Sequence, residues 1–160
     1  MSFYPVRRID YCKAVGLVRV KNVFEMLESM GFLVKCGAVE DDDVDIWVYD
    51  SLGSLVLVIE VTNWRRSSYM SRKKAESIRR NFKKYSCHKL FICSFDSNYL
   101  KHRDIIGVDM DVLVLGFQTQ PFYEWFCEKG KADGMRPDDE ETRKLLKEKL
   151  LRYLVEKGLI

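Results

Sequence analysis

The chain has 160 residues, 47% of them hydrophobic, with 27 Lys or Arg against 24 Asp or Glu for a net charge of +3. That length and apolar content suit one domain with a sizeable core, and no run approaches the roughly 18 apolar residues a membrane span needs. Five cysteines (Cys12, Cys36, Cys87, Cys93, Cys127) without a C-x-x-C, beside two histidines, speak against a zinc site and a secreted disulfide scaffold, so a soluble, cytoplasmic protein is expected.

Residues 17–30 carry Val20, Val23, Phe24 and Leu27 at i, i+3, i+4 and i+7, the stripe of an amphipathic helix closed by Gly31. A short strand follows at 32–35. The acidic stretch "EDDD" (40–43) leads into a strand at 44–49, a turn containing Gly53, and a second, almost wholly apolar strand at 55–62. Continuous apolarity predicts that both faces of that strand are covered.

A helix over 69–85 has Ala75, Ile78, Phe82 and Tyr85 on one side and most of its Lys and Arg elsewhere. "KLFICSF" (89–95) and "DVLVLGF" (111–117) read as strands. Pro121 can open a short aromatic helix, and 136–158 form a helix with an acidic first turn and a basic later part. The aromatic group Phe117, Phe122, Tyr123, Trp125 and Phe126 reads as core or subunit-interface packing. The whole is an α/β chain with a mixed sheet, treated as one domain over 1–160, with a core at about 17–117 and a helical extension at about 121–160.

Two features carry chemistry. Between Arg65 and Arg103 twelve Lys or Arg face only Glu76 and Asp96, a local excess of +10 inside an otherwise acidic chain. Such a block suits a phosphate-binding surface, or else an ordinary solvated helix face. The second feature is a pair of carboxylates. Alternation puts Val56, Val58, Glu60 and Thr62 on one face of the second strand, opposite Leu55, Leu57, Ile59 and Val61, and aligns Asp45 with Trp47 and Tyr49 on the first. Folding about 51–53 then brings Asp45 near Glu60. Buried carboxylates share a proton, meet a base or hold a hard cation such as Mg²⁺ or Mn²⁺, for which the Val61 carbonyl is a third oxygen. The plain alternative is that Asp45 caps a strand while Glu60 emerges into solvent.

The order helix, hairpin with "D45-I-W" and "I-E60-V-T62", basic helix, strand "LFICSF" resembles the PD-(D/E)XK nuclease superfamily, most of all its archaeal Holliday-junction resolvase and restriction-endonuclease-like branches. The resemblance covers about Val18 to Phe95. It implies a restriction-endonuclease-like αβββαβ core, Asp45 and Glu60 as ligands of a catalytic Mg²⁺ or Mn²⁺, DNA as partner and a homodimer. The family's lysine, two residues after the glutamate, is Thr62 here, whose hydroxyl supplies no cation. In some members the lysine has moved to the next helix, and Lys74, with Ser77 and Asn81 at i+3 and i+7, borders the apolar stripe there; Arg65 or Arg66 are the alternatives. Asn81 with Tyr85 loosely echoes the Q-x-x-x-Y element of the RecB-like branch, and Glu28 on the first helix is a candidate additional acid.

Nucleic acid would meet Asn63, Trp64, Arg65, Arg66, Arg72, Lys73, Arg79 and Arg80, the cations at phosphates and Trp64 against an unpaired base. No Walker loop or dinucleotide fingerprint is present, so no nucleotide cofactor is expected. The expectation is a metal-dependent DNA endonuclease or structure-specific nuclease. The alternative is the same fold with a damaged site, binding DNA or a protein without cutting, which Thr62 favours.

Overall fold

The apolar run expected at 55–62 is the central strand of a five-stranded mixed sheet. In the computed structural model, which describes residues 8–37, 42–120, 135–137 and 140–160, the strands β1 (Leu33–Cys36), β2 (Ile46–Tyr49), β3 (Leu55–Val61), β4 (His88–Cys93) and β5 (Asp111–Val114) lie in that order across the sheet. β1, β2 and β3 pair antiparallel, and β3, β4 and β5 parallel. The parallel pairs need crossovers. Helix α2 (Arg72–Lys83) joins β3 to β4, and the short helices α3 (Ser97–Leu100) and α4 (Arg103–Ile106) lie between β4 and β5.

Both faces of β3 are covered, which explains its composition. On one face α1 (Arg8–Ser29) sends Val23, Met26 and Leu27, and α5 (Glu140–Glu156) sends Leu146, Leu150 and Leu154, against Ile46, Val48, Leu57, Ile59 and Ile92. On the other, Ala75, Ile78 and Phe82 of α2 and Ile106 of α4 cover Val58, Phe91 and Cys93. The result is an α/β/α layering. Among the described residues no helix is long and apolar enough to cross a membrane.

The hairpin turn is built locally. Asp50 Oδ1 accepts from the Leu52 and Ser54 amides at 3.0 and 2.9 Å, and Gly53 takes φ +81°, where a side chain would be strained. The pairing of β2 with β3 then slips between Val48 and Tyr49, so that Val48 faces Leu57 but Tyr49 faces Leu55. This irregularity corrects the simple alternation: Leu55 packs on the α2 side with Val58, and Val56 on the α1 side.

Other boundaries also move. α1 begins at Arg8 rather than 17, and Phe24 is only half-buried. Residues 135–137 form a strand, β7 (Met135–Pro137), parallel to β6 (Gln118–Gln120), so the last helix starts at Glu140 instead of Arg136. The helix expected from Pro121 and most of the aromatic group lie outside the described residues; Phe117 is buried in the core on the α1 side.

Candidate active site at the end of the central strand

The site begins where the β2–β3 ladder runs out. Asp45 donates its N–H to the Ile59 carbonyl at 3.0 Å, but its own carbonyl accepts from Gly37 at 3.0 Å. The Val61 N–H therefore meets the Asp45 side chain instead, donating to Oδ2 at 2.7 Å. An unmet strand amide thus fixes the carboxylate one residue beyond Glu60. Glu60 lies in register with Phe91 of β4, is 4% exposed, and has the Asp45 carboxyl near enough for the two charges to act on each other.

Helix α2 adds a base. Ser71 caps it, its Oγ accepting from the Lys74 N–H at 3.1 Å, which fixes the first turn. Buried Ala75, Ile78 and Phe82 turn the neighbouring Lys74 toward the strand end, where its Nζ lies 3.8 Å from Glu60 Oε1. Burial first, then the negative Asp45, push the Glu60 carboxyl well above the usual carboxylate range, while Lys74 pulls it back. Three groups from three elements meet at one point: two carboxyls and an ammonium.

The donor set suits a hard divalent ion. Asp45 and Glu60 offer carboxylate oxygens, and extended geometry turns the Val61 carbonyl to the same side as its amide, toward Asp45. Among the described residues no three His, Cys, Asp or Glu side chains converge as a metal cage. A cation here would accordingly draw on these two carboxylates, one carbonyl, water and substrate oxygens, which is how Mg²⁺ is commonly held.

Thr62 is buried, and its hydroxyl donates to the Ile92 carbonyl at 3.2 Å, while its own carbonyl accepts from Arg19 Nη1 at 3.2 Å. It braces the strand end and offers no cation to the pair. Glu28 is exposed on α1, a helix of the opposite layer.

The residues expected at nucleic acid divide. Asn63 is buried, with its carbonyl accepting from Gln118 Nε2, and Trp64 is half-buried against Phe91 with ring centroids 6.4 Å apart. Arg72 pairs with Glu76 at 3.2 Å, Arg79 donates to the Ile106 carbonyl at 3.3 Å, and Arg80 meets Asp42 at 2.6 Å. Arg66 lies exposed over the Phe95 ring, Lys73 is exposed and Arg65 is half-buried.

Three features escaped the sequence reading. Asp42 and Asp43, at the end of the acidic stretch, lie on α2: Asp42 accepts from Ser77, Arg80 and Asn81, and Asp43 accepts from Tyr85 at 2.9 Å and pairs with Lys84 at 3.4 Å. Those hydrogen bonds, led by that of Arg80, hold Asp42 down at about 2. Arg19, fully buried, donates to Thr62 and, at 2.9 Å, to Ser94 Oγ. Asn98, also fully buried, gathers the segment before α2, donating to the Arg65 and Ser68 carbonyls and accepting from the Phe95 and Met70 amides. The excess of opposite charge in "EDDD" and 65–103 was a signal for the first; nothing local marks Arg19 or Asn98.

No protein-family model matches the chain, and no curated protein matches it.

Proposed function

We propose that the protein is a divalent-metal-dependent DNA endonuclease or structure-specific nuclease of the PD-(D/E)XK type, built on a restriction-endonuclease-like core. The observation that carries this reading is the meeting of Asp45, Glu60 and Lys74 at the end of a buried strand, with Lys74 Nζ 3.8 Å from Glu60. A purely structural role would place a costly carboxyl pair in a core for no gain in packing.

Asp45, Glu60 and the Val61 carbonyl would hold Mg²⁺ or Mn²⁺, which would supply Lewis acidity for water and phosphate there. The Val61 amide keeps the Asp45 carboxylate in one orientation. Lys74, 39% exposed at its side chain, is the group able to reach both Glu60 and an incoming phosphate, and takes the role that Thr62 cannot. A cation there steadies the attacking water or the negative charge of the transition state.

The second reading, a non-cutting binding module on the same fold, draws on Thr62, committed to Ile92. The test is cleavage of labelled single-stranded, duplex and four-way-junction DNA with Mg²⁺, Mn²⁺ or EDTA. Metal-dependent cutting that disappears in Glu60→Gln supports the nuclease; salt-sensitive binding without cutting in either metal supports the module.

A further inference from the structure

Helix α2 carries a second constellation, beyond Lys74 and facing the same side. Ser77 Oγ donates to Asp42 Oδ1 at 2.9 Å, Arg80 Nη2 to Oδ2 at 2.6 Å, and Asn81 Nδ2 to Oδ1 at 3.4 Å. Lys84 Nζ adds its charge, 3.4 Å from the Asp42 carbonyl and from Asp43. A hydroxyl, a guanidinium, an amide and an ammonium converge on one anion, as they do on phosphate.

The fit to the carboxylate is uneven. Arg80 approaches closely, whereas the Asn81 amide is reached only at 3.4 Å, beyond a good hydrogen bond. Asn81 is 3% exposed, so its Nδ2 donor is costly to leave poorly paired. A planar carboxylate holds two oxygens close together, while a phosphate spreads larger, tetrahedrally arranged oxygens over the same donors. The position also fits. From Lys74 to Asn81 the helix advances about 10 Å, and Asp42 acts electrostatically on Glu60.

We propose that Ser77, Arg80, Asn81 and Lys84 form a binding site for a backbone phosphate of a nucleic acid strand running past Glu60, and that Asp42 occupies it as an internal competitor. The strand's identity rests on the nuclease reading; the anion site does not. Asp42 and phosphate exclude each other from the same donors, so the free protein holds its own affinity down.

The experiment measures binding of a fluorescent single-stranded oligonucleotide in EDTA, where no cutting occurs, across a salt series. Asp42→Ala should tighten binding roughly five- to tenfold, as expected when a competing internal group is removed. The slope of log K against log salt should steepen by about 0.7, one added phosphate contact on a single strand. Arg80→Ala should erase the gain in the Asp42→Ala background while changing little by itself. Asp104→Asn, which removes one exposed negative charge from α4 beside α2 and releases no cation held by its side chain among the described residues, is the control for general electrostatics. In parallel, inorganic phosphate should shift the Asn81 side-chain amide signals of Asp42→Ala but not of the wild type.

Equal gains for Asp42→Ala and Asp104→Asn, or a gain that survives Arg80→Ala, would overturn the proposal. If Asp42→Ala unfolds, Asp42→Asn, which keeps the shape and loses the charge, carries the same comparison. Failure of metal-dependent cleavage with these binding results intact would refute the nuclease and leave the anion site standing.

Discussion

Replacing Glu60 by glutamine should make the metal-free protein more stable, an unusual outcome for a change in the core. Glu60 is 4% exposed, feels the charge of the Asp45 carboxyl, and has Lys74 at 3.8 Å. Two like charges about 4 Å apart repel by roughly 4 kcal/mol at an effective dielectric near 20. The attraction to Lys74 would be similar at that distance, but its side chain is 39% exposed and solvent screens the pair. The amide keeps the shape and can donate to Asp45. The net gain at neutral pH is about 2 kcal/mol, which for a chain of this size raises the melting temperature by roughly 4–8 °C.

The sign with pH follows from the raised Glu60 carboxyl. A carboxyl that binds its proton more tightly when folded stabilises the fold below the ordinary carboxylate range, and that contribution is lost as pH rises through the raised value. The gap between Glu60→Gln and wild type should therefore be near zero toward about pH 4 and widen toward about pH 8. Calorimetric melts in EDTA across that range give the curve. Excess Mg²⁺ should then raise the wild type and leave the variant unmoved. A Glu60→Gln protein less stable than wild type at the alkaline end would refute the reasoning, because Glu60 and Lys74 would then be a structural ion pair.

Lys74→Ala should lower kcat for cleavage by about 10²-fold with little change in DNA affinity, a split read by single-turnover kinetics. Arg19→Met strips Thr62 and Ser94 of a buried donor; urea melts should show a loss of about 2–3 kcal/mol. Asp42, held at about 2 by Arg80, Ser77 and Asn81, contributes stability that is present above the unfolded-state value and lost as pH falls through about 2. A carbon-detected NMR titration should place its midpoint there and find it moved upward in Arg80→Ala.

The carboxylate pair was legible because two short-range rules sufficed: alternation along a strand, and a turn short enough to set the register within a residue or two. Even so, the slip between Val48 and Tyr49 inverted Leu55 and Val56. Asp45 and Glu60 escaped that error because the alternation between Asp45–Val48 and Leu57–Glu60, beyond the slip, is regular. Lys74 was legible from helix periodicity, with Ser71 setting the phase. Arg19 and Asn98 were not, since the partners that their side chains donate to lie 30 or more residues away: Thr62 and Ser94 for the first, Arg65 and Ser68 for the second.

The basic block shows why charge counted along a sequence is not charge offered to a ligand. Of the six cations first assigned to phosphates, Arg72, Arg79 and Arg80 are engaged within the fold by Glu76, the Ile106 carbonyl and Asp42. An arginine already holding a carboxylate displaces fewer condensed counterions when DNA arrives. Each cation withdrawn should thus flatten the dependence of log K on log salt by about 0.7 for a single strand. Wild-type binding in EDTA should follow a slope well below six contacts, with Arg66 and Lys73, both exposed near the start of α2, contributing to it. A slope close to six would mean that the internal pairs open on binding. Asp42 would then be displaced by the strand already in the wild type, and the slope for Asp42→Ala would match that of the wild type.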